Sequence, residues 1–501
     1  MPSSAISREI LGKSNILIET IDRDSIKLAE ALIDYGASVT LADREASDPH
    51  LIDTSSESIG PHLLDSCREL SKRGALIKEQ ADLDSLVPDF DILFVDLITS
   101  PTSPFIEIAR NNETYVTNVA DLIFQLSTVP TIGITGSSGK TTTATLLSRM
   151  MMEAPINTYA TEDHFSEQLW PNVQLLREID EMLRPGTLIA ELTSGHLEYM
   201  HASPNVSIIT NITPDHVEWH GSLEDYVKAK KTILMYQSED DIAVLNKDDP
   251  ISEHTLIPHC KGRTIFFSAT EEPPEGVFLK NEKIYAKWND ECEIVAHISD
   301  IPVNKRYIGN ILAACAGAIA TEIPLDAIKS VLYKFEGVSQ RLQFIGKVSD
   351  IYFYNNGRGN TAAKVRASWE AFRGHSLHWI AGGNPKSKHD PQGAHQHASE
   401  IANLKSMFKE APTLVNTAHL FGEATVTIKQ YLLDAGFPDS KIYEAGNLDD
   451  CFQQAVRSAN AEGIVLLSPL YGIPWDEANS FNLLVENYSK QPYSSAQKKC
   501  S

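Results

Sequence analysis

The chain has 501 residues, 42% of them apolar and 22% charged, which fits a globular protein of about two to four domains and excludes disordered and fibrous classes. A formal charge of −24 argues against wrapping an anionic polymer, so no nucleic-acid partner is expected, only small anions at a locally basic site. No apolar run reaches the ~20 residues of a membrane helix, no signal peptide is read at the N-terminus, and six scattered cysteines without CxxC spacing predict reduced thiols in a cytoplasmic compartment.

The predicted elements alternate strand and helix. Asn15–Ile18 reads as a strand, and Ile26, Ala29, Leu32 and Ile33 recur at helical spacing up to Gly36, which is placed to end that helix. Strands follow at Ser38–Leu41 and Asp91–Val95, and breakers at Ser100-Pro101 and Ser103-Pro104. A second stretch opens with the strand Pro130–Thr135 and a helix from Thr141 to Met152, with further strands at Thr187–Ala190, Val206–Thr210 and Ile242–Leu245. Glu271–Gly276 reads as a surface loop. A helix from about Gly309 to Ala320 carries small residues, Ala313, Ala314 and Gly317 among them, that allow close packing. The last stretch repeats the alternation, with strands near Ile351–Tyr354, Leu377–Ala381, Thr413–Asn416 and Gly463–Leu467. Alternation of this kind predicts parallel sheets covered by helices on both faces.

Between the strand ending at Thr135 and the helix opening at Thr141 lies Gly136-Ser137-Ser138-Gly139-Lys140-Thr141-Thr142. Glycines there let backbone N–H groups converge on an anion, and the helix N-terminus adds partial positive charge. Lys140 is placed to reach the β- and γ-phosphates of ATP, and the Thr141 hydroxyl to hold Mg²⁺. The strict phosphate-loop motif needs glycine at 134, where Ile134 stands; the glycines fall at 133, 136 and 139 instead.

That spacing, followed by Lys-Thr-Thr-Thr, resembles the Mur ligases, which build the peptide of bacterial cell walls. Thr210-Asn-Ile-Thr-Pro-Asp-His216, then His220-Gly-Ser, Tyr226 and Ala229-Lys230, looks like the family's central motif, and Ala243–Asp249 follows at the usual distance. The matches are dense in the middle of the chain and thin at both ends. The resemblance implies three α/β domains: a Rossmann-like domain for the carboxylate substrate (1–120), a central P-loop ATPase domain (121–337) and a Rossmann-like amino-acid domain (338–501). It also implies an ATP-dependent amide-forming ligase working through an acyl phosphate as a monomer. Within the family the look is toward the branch that adds D-glutamate to UDP-N-acetylmuramoyl-L-alanine.

Residue by residue, the resemblance implies that Glu191 is an acidic Mg²⁺ ligand and that His216 holds a second Mg²⁺. Lys230 is implied to be carbamylated by CO₂ and to bridge the two ions. Asn310 is implied to read adenine, Arg341 to reach ATP near a hinge and Asn356 to stand near its ribose. Asp43 falls where the family reads uracil, and Lys386 where it faces the incoming amino acid; Thr193 and Arg358 complete the expected substrate contacts. On charge pattern alone Lys228, Lys230 and Lys231 form a solvated basic face; the motif spacing singles out Lys230.

Other positions depart from the family. The turn after the first strand, Glu19-Thr-Ile-Asp22-Arg23-Asp24-Ser25, has no glycine and three carboxylates, and should repel a diphosphate. Asn356 replaces an acidic residue and Arg358 a lysine. Gly195 and His196 stand where the family has an aromatic residue and a glutamine. His389, His395 and His397 read as a solvated loop rather than a zinc site, and His254 and His259-Cys260 as incidental. The alternatives are a Mur-type ligase for another acyl carrier and amino acid, folylpolyglutamate synthase-like chemistry included, and a nucleotide-binding partner protein that does not ligate.

Overall fold

A computed structural model describes residues 6–44, 61–97, 99–159, 171–176, 186–213, 217–289, 291–302, 307–384 and 398–490. Its compact units are Met1–Phe335 and Glu336–Ser501.

The first unit holds two sheets. Strands β1 (Asn15–Glu19), β2 (Ser38–Arg44), β3 (Leu76–Ala81), β4 (Ile92–Phe94) and β5 (Tyr115–Thr117) pair in the order β3-β2-β1-β4-β5. All four pairings are parallel. The chain order reverses direction between β1 and β4, and in such sheets ligands settle outside the strand ends at that switch point. The second sheet comprises β6 (Thr131–Thr135), β7 (Thr158–Tyr159), β8 (Thr187–Glu191), β9 (Val206–Ile209), β10 (Ile242–Asn246), β11 (Arg263–Ser268), β12 (Gly276–Lys280), β13 (Lys283–Trp288) and β14 (Glu291–His297). Its order is β14-β13-β12-β11-β10-β9-β6-β8-β7. Strand β6 is buried at every residue, as a parallel strand covered on both faces must be.

The expected small-residue helix spans Ile308–Ala320. A side chain at Gly317 would meet Ile208 Cδ1 at 2.5 Å and Leu147 Cδ2 at 3.1 Å. Its missing Cβ therefore lets this helix press against both β9 and the helix Lys140–Glu153. The Glu271–Gly276 loop leads into β12, and β12, β13 and β14 pair antiparallel, an extension the sequence reading did not anticipate.

The second unit forms one sheet from β15 (Gln343–Val348), β16 (Ile351–Asn355), β17 (Leu377–Gly382), β18 (Thr417–Phe421), β19 (Ile442–Glu444) and β20 (Ile464–Leu470), in the order β15-β16-β20-β17-β18-β19. One expectation is corrected here. Thr413–Asn416 is not a strand: Ala411–Leu414 is a helical turn with proline in its first turn, where a missing N–H costs nothing, and the strand begins at Thr417. Two buried histidines lie on neighbouring strands of this sheet. His378 Nδ1 lies 2.8 Å from Thr417 Oγ1, which lies 2.9 Å from His419 Nε2. Burial pushes His378 down to about 4 and His419 to about 3.

Candidate active site

Strand β6 delivers the chain into the phosphate loop, and the helix Lys140–Glu153 leaves it. Two glycines make the turn. Gly136 has φ +150°, and a Cβ there would lie 1.9 Å from Thr210 Oγ1. Gly139 has φ +85°, and its Cβ would lie 2.2 Å from Asn310 Oδ1. L side chains avoid such backbone, so glycine is required by both conformation and space. Asn310 thus sits against the loop's second glycine.

The end of β9 grips the loop from the other side. Ser137 N–H donates to the Asn211 carbonyl at 2.8 Å. Ser138 N–H donates to Asn211 Oδ1 at 3.1 Å, and Thr210 Oγ1 donates to the Ser138 carbonyl at 2.6 Å. Asn246 Nδ2 holds the Thr210 carbonyl at 2.8 Å, while Asp249 Oδ2 accepts from Ile212 N–H at 2.9 Å. The two motifs quoted from the sequence therefore brace the phosphate loop through one short segment. A further brace, Ser137 Oγ to the Tyr226 hydroxyl at 2.7 Å, was missed; the fixed spacing of Tyr226 and Lys230 was its only signal.

The charged groups converge on this loop. Lys140 Nζ donates to the Gly136 carbonyl at 2.8 Å, and Lys230 Nζ donates to the same carbonyl at 3.0 Å. Lys230 is 1% exposed, and its Nζ also contacts Thr135 Oγ1 at 3.3 Å. Two lysine side chains converging on one carbonyl concentrate positive charge where the loop would meet an anion. Glu191, at the end of β8, is fully buried, and its Oε2 accepts from Thr141 Oγ1 at 2.9 Å. A carboxylate and a hydroxyl side by side offer the oxygen donors that Mg²⁺ prefers, so these residues fit the ion. Thr142, the next residue, is buried in the first turn of the helix. His216 lies outside the described residues.

Thr193, an expected substrate contact, is the N-cap of the helix Ser194–Glu198; its Oγ1 accepts from His196 N–H, and His196 Nδ1 accepts from Thr193 N–H at 3.1 Å. Because a backbone N–H can only donate, Nδ1 carries the lone pair and Nε2 the proton. Burial, aided by the Lys140 charge, pushes this imidazole down to about 3. His196 lines a cavity of about 290 Å³ with Glu19, Asp22, Phe94 and Asn118, between the first sheet and the central one.

At that cavity the acidic turn is largely self-satisfied. Glu19 is 3% exposed and accepts from Thr99 Oγ1 at 2.5 Å. Asp22 caps the helix Arg23–Asp34, taking Ser25 N–H at 2.7 Å while Ser25 Oγ accepts from Asp22 N–H. A carboxylate thus occupies the helix end where a diphosphate would bind. Asp43 is the penultimate residue of β2, beside an irregularity in its pairing with β3.

In the second unit, Arg341 lies between Gln340 (φ +53°) and Leu342 (φ +54°), both in left-handed backbone. Asn356 is largely buried; its Oδ1 accepts from Leu342 N–H at 3.2 Å and its Nδ2 donates to Ser468 Oγ at 3.0 Å. Arg358 N–H donates to the Gln340 carbonyl at 3.2 Å. These three residues are brought together by the Gln340–Leu342 segment. Lys386, with the three loop histidines, lies outside the described residues.

Residues 134–318 match the Mur ligase middle domain. The chain is 30% identical over 400 residues to the UDP-N-acetylmuramoylalanine–D-glutamate ligase of Clostridioides difficile strain 630, covering 79% of this chain and 83% of that one. It is 29% identical over 474 residues to the enzyme of that name from Pelotomaculum thermopropionicum, covering 94% and 95%. Among solved structures, MurF from Thermotoga maritima in complex with ADP aligns with a TM-score of 0.55 at 13% identity, over 95% of this chain and 99% of that one. A pseudomurein peptide ligase type C from Methanothermus fervidus gives 0.54 at 16%, over 95% and 100%. With the phosphate loop, its two lysines and the Glu191–Thr141 pair in place, and a curated relative at this identity over most of its length, the chain belongs to the Mur ligase family.

Proposed function

We propose that this protein is an ATP-dependent ligase that adds D-glutamate to UDP-N-acetylmuramoyl-L-alanine in peptidoglycan precursor synthesis. The observation that carries the reading is the pair of lysines, Lys140 and Lys230, meeting at the Gly136 carbonyl beside Glu191 and Thr141. Joining a carboxylate to an amine in water needs a leaving group, which ATP supplies through an acyl phosphate. That step presses two anions together, and fixed cations at the loop stabilise it. The relatives named for this reaction support the choice of substrates.

In this reading Lys140 stabilises the transferring phosphoryl group, and Thr141 and Glu191 hold Mg²⁺, which supplies charge neutralisation when bound. His216 would hold a second ion. Lys230 would carry the carbamate, since its Nζ already stands at the loop carbonyl and only an amine placed there can react with CO₂ beside the ions. Gly136 to Thr142 and Asn310 would take the nucleotide, with Arg341 and Asn356 joining from the last domain. Asp43, Thr193, Arg358 and Lys386 would serve the two substrates. We assign residues 1–120, 121–337 and 338–501 to the acyl-substrate, ATP and amino-acid domains of a monomeric enzyme acting in the cytoplasm. Among the described residues no helix is long and apolar enough to cross a membrane.

The test is phosphate release from ATP and Mg²⁺ with both substrates present. Release that depends on each substrate, with the dipeptidyl product formed, is expected; no product at millimolar substrate would sink the assignment. The Asp22 cap favours a second reading, a Mur-type ligase for a carrier lacking a diphosphate. Calorimetry with UDP-N-acetylmuramoyl-L-alanine separates the two, because only the first requires binding.

A further inference from the structure

A second polar cavity, of about 410 Å³, lies between the loop after β4 and the helix Leu223–Met235, and no role above uses it. It is lined by Arg110, Glu198, His220, Asp225, Lys228 and Thr232 among others. The lining is charged with both signs: Arg110 and Lys228 are cationic, Glu198 and Asp225 anionic. Asp225, Lys228 and Thr232 share one face of their helix through spacings of three and four residues.

His220 is the observation that points to a ligand. It is 2% exposed, and among the described residues neither ring nitrogen has a hydrogen-bond partner. Its Nδ1 lies 3.5 Å from Glu198 Oε2, and its ring stands edge-on to Trp219 and Tyr226. A buried polar ring without hydrogen bonds is costly, and in native proteins such a group usually meets water or a ligand. Arg110 Nη2 stands 3.9 Å from Glu198 Oε1, an ion pair too long for a hydrogen bond. Arg110 Nη1 instead donates to the Pro101 carbonyl at 3.2 Å. No group of three or more metal-ligating side chains is present among the described residues.

We propose that this cavity binds a small zwitterion of α-amino-acid type, its carboxylate held by Arg110 and Lys228, its ammonium by Glu198 and Asp225, and a hydrogen bond made to His220. A lining that carries both signs recognises a ligand carrying both, and selects against one carrying either alone. The site shares no residue with the phosphate loop and does not depend on which acyl substrate the ligase uses.

Calorimetry of the full chain with glycine tests it, with acetate and methylammonium as half-ligands. Glycine is expected to bind one-to-one, and each half-ligand at least about tenfold more weakly. Glu198→Gln and Lys228→Met should each weaken glycine by about tenfold, the loss of one charge-assisted contact. Both substitutions fall on side chains that reach solvent, so the fold is kept. Acetate binding as tightly as glycine would overturn the proposal in favour of a simple anion site. Glycine binding left unchanged by both charge variants would place it elsewhere, for example at the acceptor amino-acid site, and absence of glycine binding at tens of millimolar would also overturn it.

Discussion

The turn after β6 and the turn after β1 are built alike, each a parallel strand running through a short loop into a helix. They end in opposite electrostatic states. After β6, Gly139 is the N-cap and makes no side-chain cap bond, so no side chain at the cap takes the first backbone N–H groups that an anion would meet. After β1, the Asp22 carboxylate takes one of those N–H groups itself and places a negative charge at the helix end. The same piece of architecture is an anion receptor in one place and a closed joint in the other. Whether a side chain or a ligand completes the helix decides which.

The largest effect that tests this contrast is expected of Lys140→Ala. It should lower ATP turnover by about 10³-fold, since one well-placed donor to a developing charge contributes that much. Retained ligation would defeat the role proposed for the phosphate loop. Lys230→Ala should lose about 10²-fold and regain part of it with added acetate, a carboxylate able to stand in for a carbamate. A variant that still binds ATP yet gains nothing from acetate counts against carbamylation.

Gly136→Ala should weaken ATP by about tenfold or more through strained backbone and a clash with Thr210, with the affinity read by calorimetry. Asp22→Asn should give the smallest change and the most informative one. Asparagine caps as well as aspartate, so thermal stability should hold. Removing the charge should tighten a diphosphate-bearing substrate by about two- to fivefold. An unchanged affinity would mean that the diphosphate does not approach this helix.

The phosphate loop was legible because its chemistry is local: glycine, lysine and threonine at fixed offsets dictate the turn and its ligand together. Lys230 was legible only through spacing, since its neighbours Lys228 and Lys231 make the stretch look solvated; in the structure Lys230 alone of the three is buried. The Asp22 cap could have been read, because a short polar acceptor three residues before a serine at a helix start is a reciprocal-cap signature. The hold of Asn211 on Ser138 spans 73 residues and has no local signal. Nor did β12–β14, whose hairpin turns through Asn281 and Glu282 in left-handed backbone without the usual glycine.

The two histidines joined through Thr417 make the last unit a proton-sensitive structure. Both imidazoles are held below the ordinary value of 6.5, so the native chain keeps them neutral while an unfolded chain takes up protons. Their contribution is fully present above about pH 6.5 and is lost as pH falls toward 4 for His378 and about 3 for His419. Urea midpoints of Glu336–Ser501 should therefore fall between those pH values, with the buried pair Trp369 and Trp379, 4.8 Å apart, as an optical reporter. Acidification would then undo the carboxyl-terminal body of this enzyme through groups that take no part in its chemistry.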